Sequence, residues 1–225
     1  MTVVGIDGCP TGWIAVALAA DGRATAHYLP TIGSVSDAIP DASVIGIDMP
    51  IGFAQDQPRR ADLEARAFLG KRRNSLFLTP PRAVLAAPDH ATATTLSVEL
   101  TGSGVSQQSF ALRKKIFEVE AWLPEASCPV FEVHPEVSFA VLMGAPASAS
   151  KKSWHGMVER RSALDAAGIR LGDVPADVGR RATVDDVLDA VVVAWTARRL
   201  LAGEGRSFPA SPSSDAHGTE IAIWA

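Results

Sequence analysis

The sequence predicts an α/β fold in which a mixed sheet, built from antiparallel and parallel strands, is covered by helices. The first observation is a run of three apolar stretches separated by short turns, at residues 3–7, 13–19 and 23–29. Asp-Gly at 21–22 supplies the positive φ that tight hairpins require, so we expect a three-stranded antiparallel meander. The second observation is that apolar stretches at 44–48 and 128–136 alternate with helical patterns, which is typical of parallel strands.

The composition is that of an ordinary globular protein, with 47% hydrophobic and 20% charged residues among 225. We expect a single domain over residues 1–225, with a helical insert at about 56–125 between the fourth and fifth strands. The two cysteines, Cys9 and Cys128, form no disulfide or metal-binding pattern, which favours a reducing, cytoplasmic location. No apolar run is long enough to span a membrane. The net charge of −4 argues against a protein that coats nucleic acid non-specifically, although a local basic groove remains compatible with it.

The remaining elements follow from helical spacing and from stop signals such as Gly70 and Gly203. Thr183 with Asp186 three residues later fits a capping box at the start of the most regular helix. We predict helices at 34–39, 58–70, 106–123, 151–168 and 183–203, loops at 87–106 and 207–218, and a last strand at 219–225.

Two strands end in the same way, at "VVGIDG" (3–8) and "VIGIDMP" (44–50). Because side chains alternate along a strand, each aspartate, Asp7 or Asp48, shares a face with the glycine two residues before it. Both aspartates lie at carboxyl ends of strands, where ligand sites open in α/β sheets. Gly5 and Gly46 leave space on that face, either for a ligand or for a closely packed helix.

The late helix and the fifth strand supply further acids. Asp186 and Asp189 are three residues apart and project from one side of the helix, whereas we expect Asp185 to point elsewhere. An acid suits the first helical turn, but Asp189 lies a turn further in, beside apolar neighbours, and needs a partner there. The fifth strand adds Glu132, with His134 and Glu136 as secondary candidates.

Carboxylates that converge in one pocket repel each other, so they call for a cation. Oxygen ligands without sulfur favour Mg²⁺ or Mn²⁺ over zinc. Two such ions could clamp the attacking and leaving oxygens of a phosphodiester, which predicts a metal-dependent nuclease with a two-metal mechanism.

The pattern of strands and acids resembles the ribonuclease-H-like fold, in which a three-stranded meander precedes parallel strands. A closer resemblance is to the uncharacterised-domain family numbered 429, described as predicted ribonuclease-H-like nucleases. The matching stretches are "GIDGCPTGW", "IGIDMPIGF", "RRNSLFLTPPR", "FEVHPEVSF", "KKSWHGMVERR" and "DDVLDA", which span residues 5 to 190. The resemblance implies metal ligands at Asp7, Asp48 and Asp186 or Asp189, with Glu132 as a further candidate catalytic residue.

Basic residues are concentrated in the predicted insert, where residues 59–82 hold seven of them against two acids. Solvated helix faces would explain each cluster alone, but together they could form a rim that holds a phosphate backbone. The candidates for nucleic-acid contacts are Arg73, Lys151 and Lys152, with Ser75 and Arg82 implied by the family resemblance.

Two alternatives remain open at the level of sequence. The turn "DGCPTG" loosely resembles the phosphate loop of the actin and sugar-kinase class, although 225 residues are few for a two-domain ATP-binding protein. The net negative charge would also suit a non-catalytic binding module that keeps the fold.

Overall fold

Eight strands and ten helices follow one another along the chain, and the structure, a computed structural model, describes all residues from 1 to 225. The strands are β1 (Thr2–Cys9), β2 (Gly12–Ala19), β3 (Arg23–Leu29), β4 (Ala42–Ile47), β5 (Val130–Glu132), β6 (Arg170–Leu171), β7 (Ser207–Ser214) and β8 (Glu220–Trp224). The helices are α1 (Val35–Ala38), α2 (Arg60–Leu69), α3 (Arg82–Leu85), α4 (His90–Thr101), α5 (Gln107–Ala111), α6 (Arg113–Trp122), α7 (Pro135–Met143), α8 (Trp154–Ala166), α9 (Ala176–Gly179) and α10 (Val184–Leu201). Short 3-10 segments lie at Ile32–Ser34, Gly70–Ser75 and Leu123–Glu125.

These elements form two compact units. The first unit consists of Met1–Met49, Trp122–Arg206 and Trp224–Ala225, and the second consists of Pro50–Ala121 and Ser207–Ile223. The second unit therefore contains nearly all of the predicted insert together with most of the β7–β8 hairpin. The organisation of 1–225 as one domain stays a prediction.

The first unit is built on a six-stranded mixed sheet in the order β5-β4-β1-β2-β3-β6. β1, β2 and β3 form the predicted antiparallel meander, while β4 runs parallel to β1 and β5 runs parallel to β4. The two "GID" stretches are direct neighbours in register, with Gly5 opposite Gly46 and Ile6 opposite Ile47. The Asp48 N–H then donates to the Ile6 carbonyl at 2.9 Å, so the next residues along the two stretches, Asp7 and Asp48, are neighbours.

The two glycines of these strands admit helix α10, which packs across β1, β2 and β4. A Cβ added to Gly5 would lie 2.1 Å from the Ala194 nitrogen and 2.2 Å from the Ala190 oxygen, both in the backbone of α10. A Cβ at Gly46 would lie 2.9 Å from Cγ1 of Val193. Of the two interpretations of these glycines, the closely packed helix is therefore correct, and no ligand-sized gap lies beneath the aspartates.

Several predicted elements are confirmed. The three meander strands, the fourth strand and the helices now numbered α2, α8 and α10 lie within a few residues of their predicted bounds. α2 ends at Gly70, whose φ of +53° terminates the helix. The predicted helix at 34–39 is a 3-10 turn followed by α1. No helix of the structure is long and apolar enough to cross a membrane.

Other predicted elements are wrong. The predicted loop at 87–106 contains α4, in which Asp89 caps the first turn and threonine hydroxyls bond to carbonyls one turn back, as Thr94 does to His90 at 2.8 Å. The predicted helix at 106–123 is interrupted at Leu112. The fifth strand ends at Glu132, and Pro135 begins the unpredicted helix α7, since proline suits the first helical position. The predicted loop at 207–218 contains β7, which pairs with β8.

Candidate functional site

The ends of β1 and β4 present the two aspartates that the sequence singled out. Asp7 lies in β1, two residues before its end, and is buried with 8% of its surface exposed. Its Oδ1 accepts a hydrogen bond from the Gly8 N–H at 2.7 Å. Asp48 follows β4 directly and keeps partial access to solvent. The two carboxyl groups act on each other electrically, since the charge of Asp48 raises the pKa of Asp7.

Asp189 of α10 is the third member of this group and is fully buried. The glycine at position 5 lets α10 approach the sheet at Ala190, the residue next to Asp189, and so brings this acid towards the strand ends. Asp189 Oδ2 accepts a short hydrogen bond from the Lys151 ammonium. Asp189 Oδ1 is buried and accepts no hydrogen bond. The three aspartates Asp7, Asp48 and Asp189, with Lys151, are called the acidic cluster below.

Burial and mutual repulsion disturb the titration of this cluster. Burial raises the pKa of Asp7 well above its ordinary value, and the charges of Asp48 and Asp189 raise it further. Burial, followed by the charge of Asp189, raises the pKa of Asp48 to about 7. Burial also raises the pKa of Asp189 to about 6, although the charge and hydrogen bond of Lys151 act in the opposite direction. One lysine therefore does not neutralise the cluster.

Lys151 lies just before α8, and 35% of its side chain is exposed. Burial lowers the pKa of this lysine, but the charge and hydrogen bond of Asp189 outweigh burial and raise it above its ordinary value. Its ammonium also lies 3.9 Å from Oδ2 of Asp185. The expectation that Asp185 points elsewhere is therefore wrong, because this side chain turns towards the same lysine as Asp189.

Asp186, the alternative to Asp189 as a ligand, caps its own helix. Its carboxylate accepts from the Thr183 N–H at 2.8 Å, and the Thr183 hydroxyl accepts from the Asp186 N–H at 3.4 Å. This is the predicted capping box, and it is confirmed. The charge of Asp186 still acts weakly on Asp7. The role of Asp186 as a metal ligand stays a prediction, whereas its role as a cap is observed.

The acids of the β5 region divide between two roles. Glu132 is buried at the end of β5, opposite Ile47, and its charge raises the pKa of Asp48, after larger effects from burial and Asp189. His134 occupies the N-cap position of α7 without capping it through its side chain. Glu136 makes a buried ion pair with Arg160 at 2.5 Å. Glu132 therefore adjoins the acidic cluster, and Glu136 joins α7 to α8.

The predicted nucleic-acid contacts lie in both units. In the second unit, Arg73 is exposed, the Ser75 hydroxyl donates to the Arg72 carbonyl at 2.8 Å, and Arg82 pairs with Glu120 at 2.8 Å. In the first unit, Lys152 is exposed, whereas Lys151 belongs to the acidic cluster. A role for any of the five in binding a substrate stays a prediction.

The ligand types in the acidic cluster favour a metal ion, whereas the positions of the side chains do not form a complete metal site. Three carboxylates suit a hard cation such as Mg²⁺ or Mn²⁺, and the unpartnered Oδ1 of Asp189 is a free donor for one. No group of three or more His, Cys, Asp or Glu side chains is arranged here to hold a metal ion. The carboxylate oxygens are therefore suitable ligands for Mg²⁺ or Mn²⁺, but in this structure one of the aspartates is paired with Lys151.

The chain matches a known protein family along most of its length. A family model described as "Protein of unknown function (DUF429)" matches residues 5–214. The chain belongs to the DUF429 family. The match includes every member of the acidic cluster, and the resemblance predicted from short motifs is confirmed. A search of curated proteins and a search of solved structures gave no match.

Two basic partners of buried acids were not predicted from the sequence. Lys151 was predicted as a phosphate contact, but its partner is Asp189, which lies 38 positions away along the chain. Arg160 was not singled out, although it is buried and pairs with Glu136. No pattern among the neighbouring residues in the sequence indicates either ion pair. The only hint for Asp189 was that a buried carboxylate without a basic neighbour in sequence must find a partner elsewhere.

Proposed function

We propose that this protein is a metal-dependent phosphodiesterase that hydrolyses nucleic acid on a ribonuclease-H-like sheet. The order of the elements supports this fold, since a three-stranded meander precedes two strands parallel to β1, and acids lie near the end of β1, directly after β4 and on a late helix. The observation that carries the proposal is the acidic cluster. Its carboxyl groups come from three separate elements and repel each other, and one lysine balances them incompletely.

Such a cluster costs stability, because each buried carboxylate costs free energy unless hydrogen-bond donors or positive charges offset it. The second unit contains a buried ion pair between Arg59 and Asp62, in which the arginine charge balances the carboxylate. This chain therefore does balance a buried acid where the acid has a structural role. The incomplete balance at Asp7, Asp48 and Asp189 is the pattern expected where a further cation binds during function.

Asp7, Asp48 and Asp189 would hold a Mg²⁺ or Mn²⁺ ion, with Glu132 beside Asp48. When bound, this ion would lower the pKa of a water molecule and stabilise the leaving oxygen of a phosphodiester. Burial and the charges of Asp48 and Asp189 raise the pKa of Asp7, so a bound cation would favour the charged form of this carboxyl group. Asp189 meanwhile orients the Lys151 ammonium within the cluster.

A nucleic-acid substrate is supported by the basic character of residues 59–82, where seven basic residues stand against two acids. Arg73 is exposed in this segment, and so is Lys152 beside α8. Exposed lysine and arginine side chains contact phosphates without reading sequence, so the proposal covers DNA and RNA equally.

The test is a cleavage assay with the full chain, Mn²⁺, and single-stranded, duplex, hybrid and junction substrates. We expect cleavage that needs the metal and that falls by more than about 100-fold in Asp7→Asn, since even outer groups at a metal site cost about 10–100-fold. Asp37→Asn, which changes an exposed aspartate of α1, is the matched control and should cleave like the wild type. Equal cleavage by Asp7→Asn and the wild type would overturn the proposal.

One observation favours a second candidate, a binding module that keeps the fold without catalysis. Lys151 already pairs with Asp189, and no three ligating side chains are arranged around a metal ion. If this candidate is right, Mn²⁺ leaves the melting temperature of the wild type unchanged and no substrate is cut. If the nuclease is right, Mn²⁺ raises the melting temperature, because a ligand of the folded state stabilises it.

A further inference from the structure

We propose that Lys151 is a tethered cation that takes the place of one metal ion, so that the acidic cluster binds one divalent cation rather than the two predicted from the sequence. This inference rests on the proposed function, because it concerns the same cluster. It assigns Lys151 to the inside of the site, whereas the sequence suggested a contact with the phosphate backbone.

The position of the ammonium is the first support. Lys151 Nζ contacts Asp189 Oδ2 and lies 3.9 Å from Asp185 Oδ2, so it bridges two acids that are one helical turn apart on α10. A divalent ion that shared these same oxygens would stand next to a fixed positive charge and be repelled by it. The oxygens on the Lys151 side of the cluster are therefore already taken.

Asp189 also has one oxygen that Lys151 does not occupy. Asp189 Oδ1 is buried without a hydrogen-bond partner, although its residue is fully removed from solvent. A buried carboxylate oxygen without a partner costs free energy, and it is rarely left so unless something binds there. Asp7 in β1 and Asp48, directly after the neighbouring strand β4, are the remaining donors for a single ion.

The segment that presents Lys151 is fixed in place from several sides. Glu159 of α8 accepts from the backbone N–H groups of Ser148 at 2.8 Å and of Ala149 at 3.3 Å. The Ser153 hydroxyl donates to the Ser150 carbonyl at 2.7 Å and, as the N-cap of α8, accepts from the Gly156 N–H at 3.1 Å.

Two further residues of α8 complete this support. Arg160 donates to the Ala149 carbonyl at 3.2 Å while it pairs with Glu136 of α7 at 2.5 Å. A Cβ at Gly156 would lie 2.0 Å from the Ser150 oxygen, so only glycine allows the segment to pack so closely on α8. An ordinary surface lysine needs no such framework. The serine, glycine, glutamate and arginine that make these contacts all lie in the motif "KKSWHGMVERR" with Lys151.

The test counts bound Mn²⁺ on the full chain by electron paramagnetic resonance, which detects the free ion. We expect one Mn²⁺ per chain for the wild type and for Lys151→Arg, which keeps the charge. Lys151→Met should bind a second Mn²⁺, or should bind the first one about tenfold more tightly, because a repelling charge is gone. Lys152→Met is the matched control, since Lys152 is adjacent but exposed, and it should match the wild type.

The outcomes separate this inference from the proposed function. Two Mn²⁺ ions on the wild type, or identical binding by Lys151→Met and the wild type, would overturn the inference and leave the nuclease intact. No Mn²⁺ on any variant would overturn both. Should Lys151→Met not fold, Lys151→Gln keeps a hydrogen-bond donor towards Asp189 and carries the same expectation.

Discussion

Two buried aspartates, Asp62 in the second unit and Asp189 in the first, have opposite surroundings. Asp62 accepts from Arg59 Nη2 at 2.5 Å and from the Thr79 N–H at 2.7 Å, and Arg59 Nη1 donates to the carbonyls of Ile51 and Gly52 at 3.1 and 3.2 Å. Both oxygens of Asp62 have donors.

Asp189 has one donor, one oxygen without any, and further carboxyl groups nearby. An arginine fork can satisfy a buried carboxylate on two sides, whereas a lysine ammonium acts as a point charge. The comparison teaches that burial of an acid does not by itself indicate function. What distinguishes Asp189 is that pairing with Lys151 does not remove its repulsion with the neighbouring carboxyl groups.

The largest effect should come from Asp62→Asn, which breaks the satisfied pair. This change leaves the buried Arg59 charge uncompensated, and we expect the free energy of unfolding to fall by about 3 kcal/mol or more. Urea denaturation at neutral pH measures it. Glu64→Gln, which breaks an exposed pair with Arg60 on the same helix, is the control and should change stability by less than about 0.5 kcal/mol. Similar losses in both variants would contradict the distinction.

The same chemical change in the acidic cluster should have the opposite sign. The pKa of Asp48 is raised from 3.8 to about 7 on folding, so the folded state holds more protons than the unfolded state between these values, and stability falls as the pH rises through them. The Asp48→Asn variant without metal should not lose stability in this way, because asparagine does not titrate. We expect it to exceed the wild type at pH 8 by on the order of 2 kcal/mol and to approach it near pH 4.

Urea denaturation of both proteins in the presence of a chelator, at steps from pH 4 to pH 8, measures this difference. If the wild type instead gains stability relative to Asp48→Asn as the pH rises, the charges of the acidic cluster are compensated as fully as those of the Arg59–Asp62 pair.

The smallest effect should come from Asp186→Ala, one turn before Asp189. It breaks the capping box, and we expect a loss of about 1 kcal/mol in the free energy of unfolding. Thr183→Ala breaks the same box without removing a charge and should cost about the same. If Asp186→Ala also weakens Mn²⁺ binding far more than Thr183→Ala does, Asp186 is a metal ligand as well as a cap.

Much of the first unit could be predicted from the sequence, because its signals are local. Apolar alternation and Asp-Gly at 21–22 predicted the meander, and Thr183 with Asp186 predicted the start of α10. The errors lie where signals compete. The helix α4 is rich in threonine and serine, whose hydroxyls find carbonyls in their own helix, and α7 begins at a proline that was interpreted only as the end of a strand.

By itself the sequence determined the family, the meander, the strand ends at Asp7 and Asp48, and the helix that carries Asp189. Only the tertiary structure decided that Gly5 admits that helix rather than a ligand, and that Lys151 meets Asp189 across 38 positions. The physical reason is that patterns of burial and capping repeat within a few residues of the chain. The partner of a buried charge depends instead on which distant segment the fold brings to it.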